Sequence, residues 1–220
     1  MELKNRRVII TGASRGLGAA LARGLAAKGA KLLLVARNAG PLAEVARATN
    51  AHAVTVDVGA PGGALAIAAA AQALLGGVDV VIHNASVLGP VPLKGLLDTT
   101  DDELEAALEV NLLGPFRLTR ALAGAMALKG RGVVVHVTSD AATNVYPTWG
   151  AYGVSKAGLE HLGRIWAAEL EGRGVQFITF DPGGMDTKMH ADAMPDADPA
   201  TLARPAVVAE RLIAQLEGSS

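Results

Sequence analysis

Short, uninterrupted apolar runs rich in Val, Ile and Leu recur along the chain and alternate with longer, alanine-rich stretches of helical character. The runs cover residues 8–11, 31–36, 53–58, 78–83, 132–138 and 175–181, and they predict six strands. Helices are predicted over 16–28, 41–49, 61–75, 101–128 (as one helix or two), 151–171 and 205–216. Because the strand runs lack a polar alternation, both faces of the sheet are expected to be covered. Strands joined by crossover helices imply a parallel, doubly wound α/β sheet, which takes its ligands beyond the carboxyl ends of its strands. The chemistry is therefore expected just after strands. No repeat, linker or composition shift divides the chain, so residues 1–220 read as one domain. The stretch 192–204, rich in Pro and Asp, predicts a mobile loop, and 188–204 a short lid over a substrate.

Charge and composition narrow the classes. With 20 basic and 21 acidic side chains the formal net charge is −1, which argues against nucleic acid as a partner. The absence of cysteine removes disulfides, thiolate metal sites, iron–sulfur clusters and cysteine nucleophiles. His52, His83, His136, His161 and His190 show no ligand spacing, so no metal site is expected, and His136 reads as a satisfied sheet histidine. The longest apolar stretch, 64–75, falls short of the roughly 20 residues that cross a bilayer and reads as a buried helix, so no membrane association is expected. The first residues run straight into the first strand with no signal-peptide pattern, which suggests a cytoplasmic setting. Counting 43 Ala against 3 Phe, 2 Trp and 2 Tyr, the core must rely on close packing of small and branched side chains.

Directly after the first predicted strand comes Thr11-Gly12-Ala13-Ser14-Arg15-Gly16-Leu17-Gly18. Glycines admit positive φ and let the backbone approach a pyrophosphate, whose charge the free amides and positive end of the following helix stabilise. Gly12, Ser14, Arg15, Gly16, Leu17 and Gly18 are accordingly a candidate phosphate cradle. The spacing is Gly-x3-Gly-x-Gly, unlike the Gly-x-Gly-x-x-Gly of the common dinucleotide fingerprint, and tight strand-to-helix packing is the plainer alternative. Arg37 closes the second predicted strand, 19 residues beyond Gly18. An acidic residue there would hold the ribose 2′-hydroxyl of NAD, whereas an arginine pairs with a 2′-phosphate. Together with Arg15 it would make a two-guanidinium clamp favouring NADP(H); the alternative is a pair of solvated surface arginines. Asp57, followed by Val58, is placed either to accept from the adenine amine or to cap the next helix.

Tyr152-Gly153-Val154-Ser155-Lys156 opens the long helix after the fifth strand. A spacing of four puts phenol and ammonium on one face, one turn apart, as in an ordinary surface pair or a tuned acid/base. The ammonium is expected to favour the phenolate and lower a tyrosine pKa whose ordinary value is about 10. Ser139 follows the fifth strand without a His/Asp partner and outside any Gly-x-Ser-x-Gly pattern, so polarising a substrate oxygen suits it better than nucleophilic attack. The charged cluster 98–109 reads as a helix start capped by Thr100 or Asp101.

Taken in order, these residues resemble the short-chain dehydrogenase/reductase family over residues 5–190: the glycine turn, His83-Asn84-Ala85-Ser86 where the family has Asn-Asn-Ala-Gly, then Asn111, Ser139, Tyr152, Lys156 and Pro182-Gly183-Gly184-Met185-Asp186-Thr187. The resemblance implies a Rossmann-like fold and a catalytic tetrad. Tyr152 would be the general acid in carbonyl reduction and the base in reverse. Ser139 would hold the substrate oxygen, Lys156 would hold the nicotinamide ribose and depress the tyrosine pKa, and Asn111 would position a water linking Lys156 to solvent. Asn84, Ala85, Pro182, Gly183 and Thr187 would touch the cofactor; His83 and Ser86 depart from the family element. Family members usually end in a seventh strand that serves one of two dimer interfaces. Here the last helix runs into Gly218-Ser219-Ser220 instead, implying a homodimer through the helices around 103–128 and 152–170.

The function expected is an NADP(H)-dependent carbonyl reductase or alcohol dehydrogenase acting on a small to medium apolar ketone or aldehyde. Only 17 residues separate Thr187 from Pro205, which suggests an open pocket, flanked by Tyr146, Trp149, Met185, Met189 and Met194 as substrate contacts or gap fillers. A catalytically silent NADP(H)-sensing regulator on the same fold is the rival from another class. An epimerase or dehydratase without net redox change is a second rival, though such relatives usually carry a larger substrate domain.

Overall fold

The computed structural model describes residues 1–218. Strands β1 (Arg7–Thr11), β2 (Lys31–Ala36), β3 (His52–Thr55), β4 (Val80–His83), β5 (Gly132–Val137) and β6 (Val175–Phe180) form one sheet in the order β3-β2-β1-β4-β5-β6. Every pairing is parallel. The chain walks outward from β1 to β3, then returns to lay β4 on the other flank of β1. That reversal opens a cleft beyond the carboxyl ends of β1 and β4. The Rossmann-like, doubly wound architecture read from the sequence is the one present.

The helices are α1 (Gly16–Ala27), α2 (Ala39–Thr49), α3 (Gly63–Leu75), α4 (Asp101–Leu108), α5 (Gly114–Leu128), α6 (Gly150–Glu169), α7 (Lys188–Ala193) and α8 (Pro205–Gly218). Successive strand residues point to opposite faces and so feed two cores. Val8, Ile10, Leu32, Leu34 and Ile82 pack against α1, α2 and α8. Ile9, Leu33, Val35, Val81 and Val134 pack against α3 and α5. On that second face α6 comes so close to β5 that a Cβ on Gly163 would lie 2.7 Å from Nδ1 of His136. At the amino ends of the strands, the buried carboxylate of Asp79 accepts from Arg7 Nε at 2.7 Å, from the Arg7 backbone amide at 3.1 Å and from a second guanidinium nitrogen of the same residue.

Several elements differ from the sequence reading, each for a local reason. β3 is shorter than 53–58 and mostly exposed, because as an edge strand it has a neighbour on one side only; the sheet is not covered on both faces there. Stretch 64–75 lies in α3, which buries one face and leaves Leu65 and Leu74 exposed, so it is not a wholly buried helix. Among the described residues no helix is long and apolar enough to cross a membrane. The segment 101–128 is two helices. Thr100 starts α4 with a capping box, its hydroxyl accepting from Glu103 N at 3.3 Å while Glu103 Oε2 accepts from Thr100 N at 2.9 Å. A π turn over Glu109–Leu113 then separates α4 from α5 and carries Asn111, which is buried. The stretch after Thr187 is not a plain loop. Thr187 caps α7, Asp198 caps a 3-10 turn over Pro199–Thr201, and Met185 bridges to Ala203.

Candidate active site

β1 delivers the chain into the glycine turn, where Gly12 and Gly16 take φ of +67° and +54°, values open to glycine at little cost. A Cβ on Gly18 would lie 2.3 Å from the Gly12 carbonyl oxygen, so this glycine serves the closeness of turn and helix rather than the cleft wall. The turn is tied to β4. Thr11 Oγ1 accepts from the amides of Asn84 at 3.0 Å and Ala85 at 3.1 Å, while Asn84 Nδ2 donates to the carbonyls of Thr11 at 2.9 Å and Gly12 at 3.2 Å. Asn84 is thus a brace between the strands either side of the reversal.

Above this floor lies a cleft of about 650 Å³. Its wall includes the cradle residues Gly12, Ser14, Arg15, Gly16 and Leu17, with Arg37, Asp57 and Val58 at the ends of β2 and β3. Asn84, Ala85, Tyr152, Lys156, Pro182 and Thr187 complete the predicted set there. Gly18, Gly183, Asn111 and Ser139 do not line it: Gly183 donates its amide to Asp181 Oδ1 at 2.9 Å, and Asn111 is buried behind the wall. The cleft also has members the sequence reading missed, among them Arg23, Asn38, Ser86 and Lys188. Ser86 was legible as a departure from the family element; Arg23 was not, since a helical arginine carries no distinguishing signal.

Arg37 reaches Asp57 at 3.7 Å, with both side chains well exposed, and Asp57 Oδ1 accepts from Gly59 N at 2.9 Å. An exposed pair of this kind is worth at most about 1 kcal/mol, so Arg37 remains free to turn toward an anion. A glycine turn leading into the amino end of α1 suits the pyrophosphate of a dinucleotide, so the residues fit a nicotinamide dinucleotide.

At the other end stand Tyr152 and Lys156, both buried on α6. Lys156 Nζ donates to the Val137 carbonyl at 2.7 Å and lies 5.5 Å from the centre of the Tyr152 ring. Burial pushes Lys156 down to about 8, with Asp181 partly opposing. Burial also pushes Tyr152 up to about 12, against the pull of Ser139 and Ser86, which face the phenol and favour its ionised form. The expected depression of the tyrosine is therefore corrected for the chain by itself: desolvation outweighs its neighbours. The Asn111 side chain is fully engaged within the protein. Its Nδ2 donates to the Val87 carbonyl at 2.8 Å and to Ser155 Oγ at 2.9 Å, and its Oδ1 accepts from Val87 N at 2.9 Å and Ser86 Oγ at 3.1 Å. These bonds fill the side-chain amide's capacity, so a water at Asn111 would have the backbone carbonyl as its partner.

Beside the phenol, Ser139 donates to Asp140 Oδ1 at 3.0 Å, and the Tyr146 hydroxyl donates to Asp140 Oδ2 at 2.7 Å, which holds this carboxyl below its usual range. Leu88, Ala141 and Tyr152 form an apolar wall with Leu93, Trp149 and Met189, and the Trp149 ring meets Tyr152 edge-on at 5.8 Å between centroids. Behind Lys156, His136 is not the satisfied histidine expected. Among the described residues its Nε2 is buried without a hydrogen-bond partner, and burial together with the Lys156 charge holds its pKa down to about 4.

The short chain dehydrogenase family model matches residues 6–198. Dehydrogenase/reductase SDR family member 7B of Bos taurus is 34% identical over 207 residues, covering 87% of this chain and 62% of that protein. The 2-(R)-hydroxypropyl-CoM dehydrogenase of Xanthobacter autotrophicus is 32% identical over 192 residues, covering 84% of this chain and 76% of that protein. The chain thus spans a little over three fifths of the length of the first curated relatives it matches, 62% and 61%. Among solved structures, an alcohol dehydrogenase from the archaeon Thermococcus sibiricus complexed with 5-hydroxy-NADP superposes with a TM-score of 0.87 at 30% identity, covering 96% of this chain and 90% of that one. A metagenomic short-chain oxidoreductase in complex with NADP gives 0.85 at 30% identity, covering 100% and 94%.

Proposed function

The chain belongs to the short-chain dehydrogenase/reductase family, and from that premise we propose that it is an NADP(H)-dependent oxidoreductase interconverting a carbonyl compound and the corresponding alcohol, with Tyr152 as general acid and base. The observation that carries this reading is the pairing of Tyr152 and Lys156, buried one turn apart on α6, at one end of a cleft whose wall also holds Arg15 and Arg37. The bound nicotinamide would supply or take up the hydride.

The rest falls to the chain. A phenol held near 12 keeps its proton at neutral pH, so Tyr152 stands ready to donate to a carbonyl oxygen. Lys156, held near 8, is charged at neutral pH but close enough to its midpoint to pass a proton on. Its ammonium would bind the nicotinamide ribose, while Ser139, turning its proton from Asp140, would hold the substrate oxygen. Arg15 and Arg37 would grip a 2′-phosphate, a preference consistent with the NADP complexes among the similar structures. The wall of Leu88, Leu93, Trp149 and Met189 favours an apolar ketone or aldehyde of small to medium size. Segment 188–204 would cover it as a lid. Exposed Val154 and Ile165 on α6 favour a homodimer through this helix together with α4 and α5; a stable tetramer in light scattering overturns that assembly.

The test is NADPH oxidation followed at 340 nm against a panel of carbonyl compounds. Turnover by the wild type that falls by about a hundredfold or more in Tyr152→Phe supports the reading. Binding of NADPH with no turnover on any compound supports the cofactor-sensing rival instead.

A further inference from the structure

The family element Asn-Asn-Ala-Gly ends in a residue without a side chain, where this chain has Ser86. Ser86 stands on the cleft wall with Tyr152, and its hydroxyl donates to Asn111 Oδ1 at 3.1 Å. Ser139 donates to Asp140 Oδ1 at 3.0 Å. Ser139 and, to a lesser degree, Ser86 favour the ionised form of the Tyr152 phenol, but each hydroxyl has one proton to give.

The acceptor each now serves decides which is free to give it. The Ser139 proton is held by a carboxylate, and hydrogen bonds to a charged acceptor are roughly twice as strong as neutral ones. The Ser86 proton is held by a neutral amide oxygen. That oxygen keeps a second donor, the Val87 amide at 2.9 Å, if Ser86 turns away. Redirecting Ser86 therefore costs least, and no buried group is orphaned by it.

We propose that Ser86 is a positioning residue of the catalytic centre, whose hydroxyl turns from Asn111 Oδ1 to the Tyr152 oxygen as that oxygen loses its proton. In carbonyl reduction the proton passes from the phenol to the substrate oxygen and the charge left on Tyr152 is met by the Ser86 O–H. In alcohol oxidation the same bond steadies the phenolate before it accepts the alcohol proton. Ser86 thus supplies a donor that a glycine at this position cannot. The inference deepens the proposed role of Tyr152 and rests on it.

The test labels tyrosine with ¹³C at Cζ, assigns the second signal with Tyr146→Phe, and follows the Tyr152 signal with pH, without and with NADP⁺. In Ser86→Gly and Ser86→Ala the ionisation midpoint should rise by about one pH unit, a tenfold loss of phenolate at a given pH, and Ser86→Thr should bring it back. Circular dichroism confirms that each variant remains folded. Midpoints equal to wild type in folded variants overturn the inference, as does a larger shift in Ser139→Ala than in Ser86→Ala. The acid limb of NADP⁺-dependent 1-phenylethanol oxidation should move in parallel. A Tyr152→Phe chain that still turns over would sink the reading of Tyr152, yet leave the Ser86 midpoints readable, so the failures are distinct.

Discussion

Asn111 and Ser155 are joined by a hydrogen bond of 2.9 Å from Nδ2 to Oγ, and Ser155 in turn donates to the Tyr152 carbonyl at 2.7 Å. Through this chain the π turn after α4 reaches the helix that bears the phenol, while the rest of the Asn111 amide grips both backbone groups of Val87. Asn111→Ala would leave the Val87 amide, the Val87 carbonyl and the Ser155 hydroxyl each short of a partner. A stranded buried group costs about 1–3 kcal/mol; Ser155 is buried while half-buried Val87 lines the cleft and can turn to water, so a loss of about 1–3 kcal/mol is expected in urea unfolding. A variant within about 0.5 kcal/mol of wild type, the scatter of surface changes, would show that the clamp is not structural.

The cofactor preference has a direct check. Arg37→Ala should weaken NADPH in calorimetric titration by about tenfold to a hundredfold while leaving NADH nearly unchanged, since only the former carries the phosphate that a guanidinium meets in two parallel bonds. Asp57 is an exposed partner at 3.7 Å that holds Arg37 only loosely, so Asp57→Ala should change NADPH affinity little or raise it. Equal wild-type affinities for both cofactors would remove the clamp.

Stability should depend on the ion pair at the opposite end of the sheet. Burial raises the Asp79 carboxyl, but its hydrogen bonds from Arg7 outweigh this and hold it below the usual carboxylate range. A depressed folded-state pKa contributes stability that is present above the unfolded value of about 3.9 and is lost as pH falls through the folded one. Arg7→Ala, which leaves the carboxylate only the backbone amide at 3.1 Å and Arg131 at 3.9 Å, should cost about 1.5–3 kcal/mol at pH 7, with the deficit shrinking in acid as Asp79 protonates. A cost independent of pH in denaturant titrations would contradict this assignment.

Lys156 gives the same direction of pH dependence in a higher window, but as a burden rather than a support. Burial holds it near 8 against an ordinary 10.5, so between those values the unfolded chain binds the proton and the folded chain does not. Stability from this residue therefore rises with pH across that window, and the charged form is a burden below it. Lys156→Met should stabilise the chain at pH 7 by about 2 kcal/mol, after allowance for the hydrogen bond to Val137 that is lost, while turnover collapses. A destabilised methionine variant would refute the burden.

The strands, the reversal and the cleft were legible because continuous apolar runs and a glycine turn are local signals, and Tyr152 and Lys156 because four residues span one helical turn. Features that need the third dimension were not. The exposure of β3 follows from its place at the sheet edge, which no pattern within 53–58 betrays. The saturation of Asn111 depends on Val87, Ser86 and Ser155, brought together from separate stretches. The high phenol pKa was misjudged because spacing reveals the nearby ammonium but not the depth of burial that overrides it. Stretch 192–204 was read as loop because Pro and Asp dominate it, yet Asp198 and Pro199 start a 3-10 turn there.

The edge-on contact between Trp149 and Tyr152 makes the chain its own optical gauge. A tyrosinate absorbs where indole emits, so ionisation of that one phenol drains the neighbouring fluorescence by energy transfer, strongly at such close range. Trp166 is the other indole in the chain and sits among Phe116 and Phe177. Tyr146 also lies 6.1 Å from Trp149, so in a background carrying both Trp166→Phe and Tyr146→Phe the remaining emission would follow the protonation of the reacting oxygen in real time, with no dye attached.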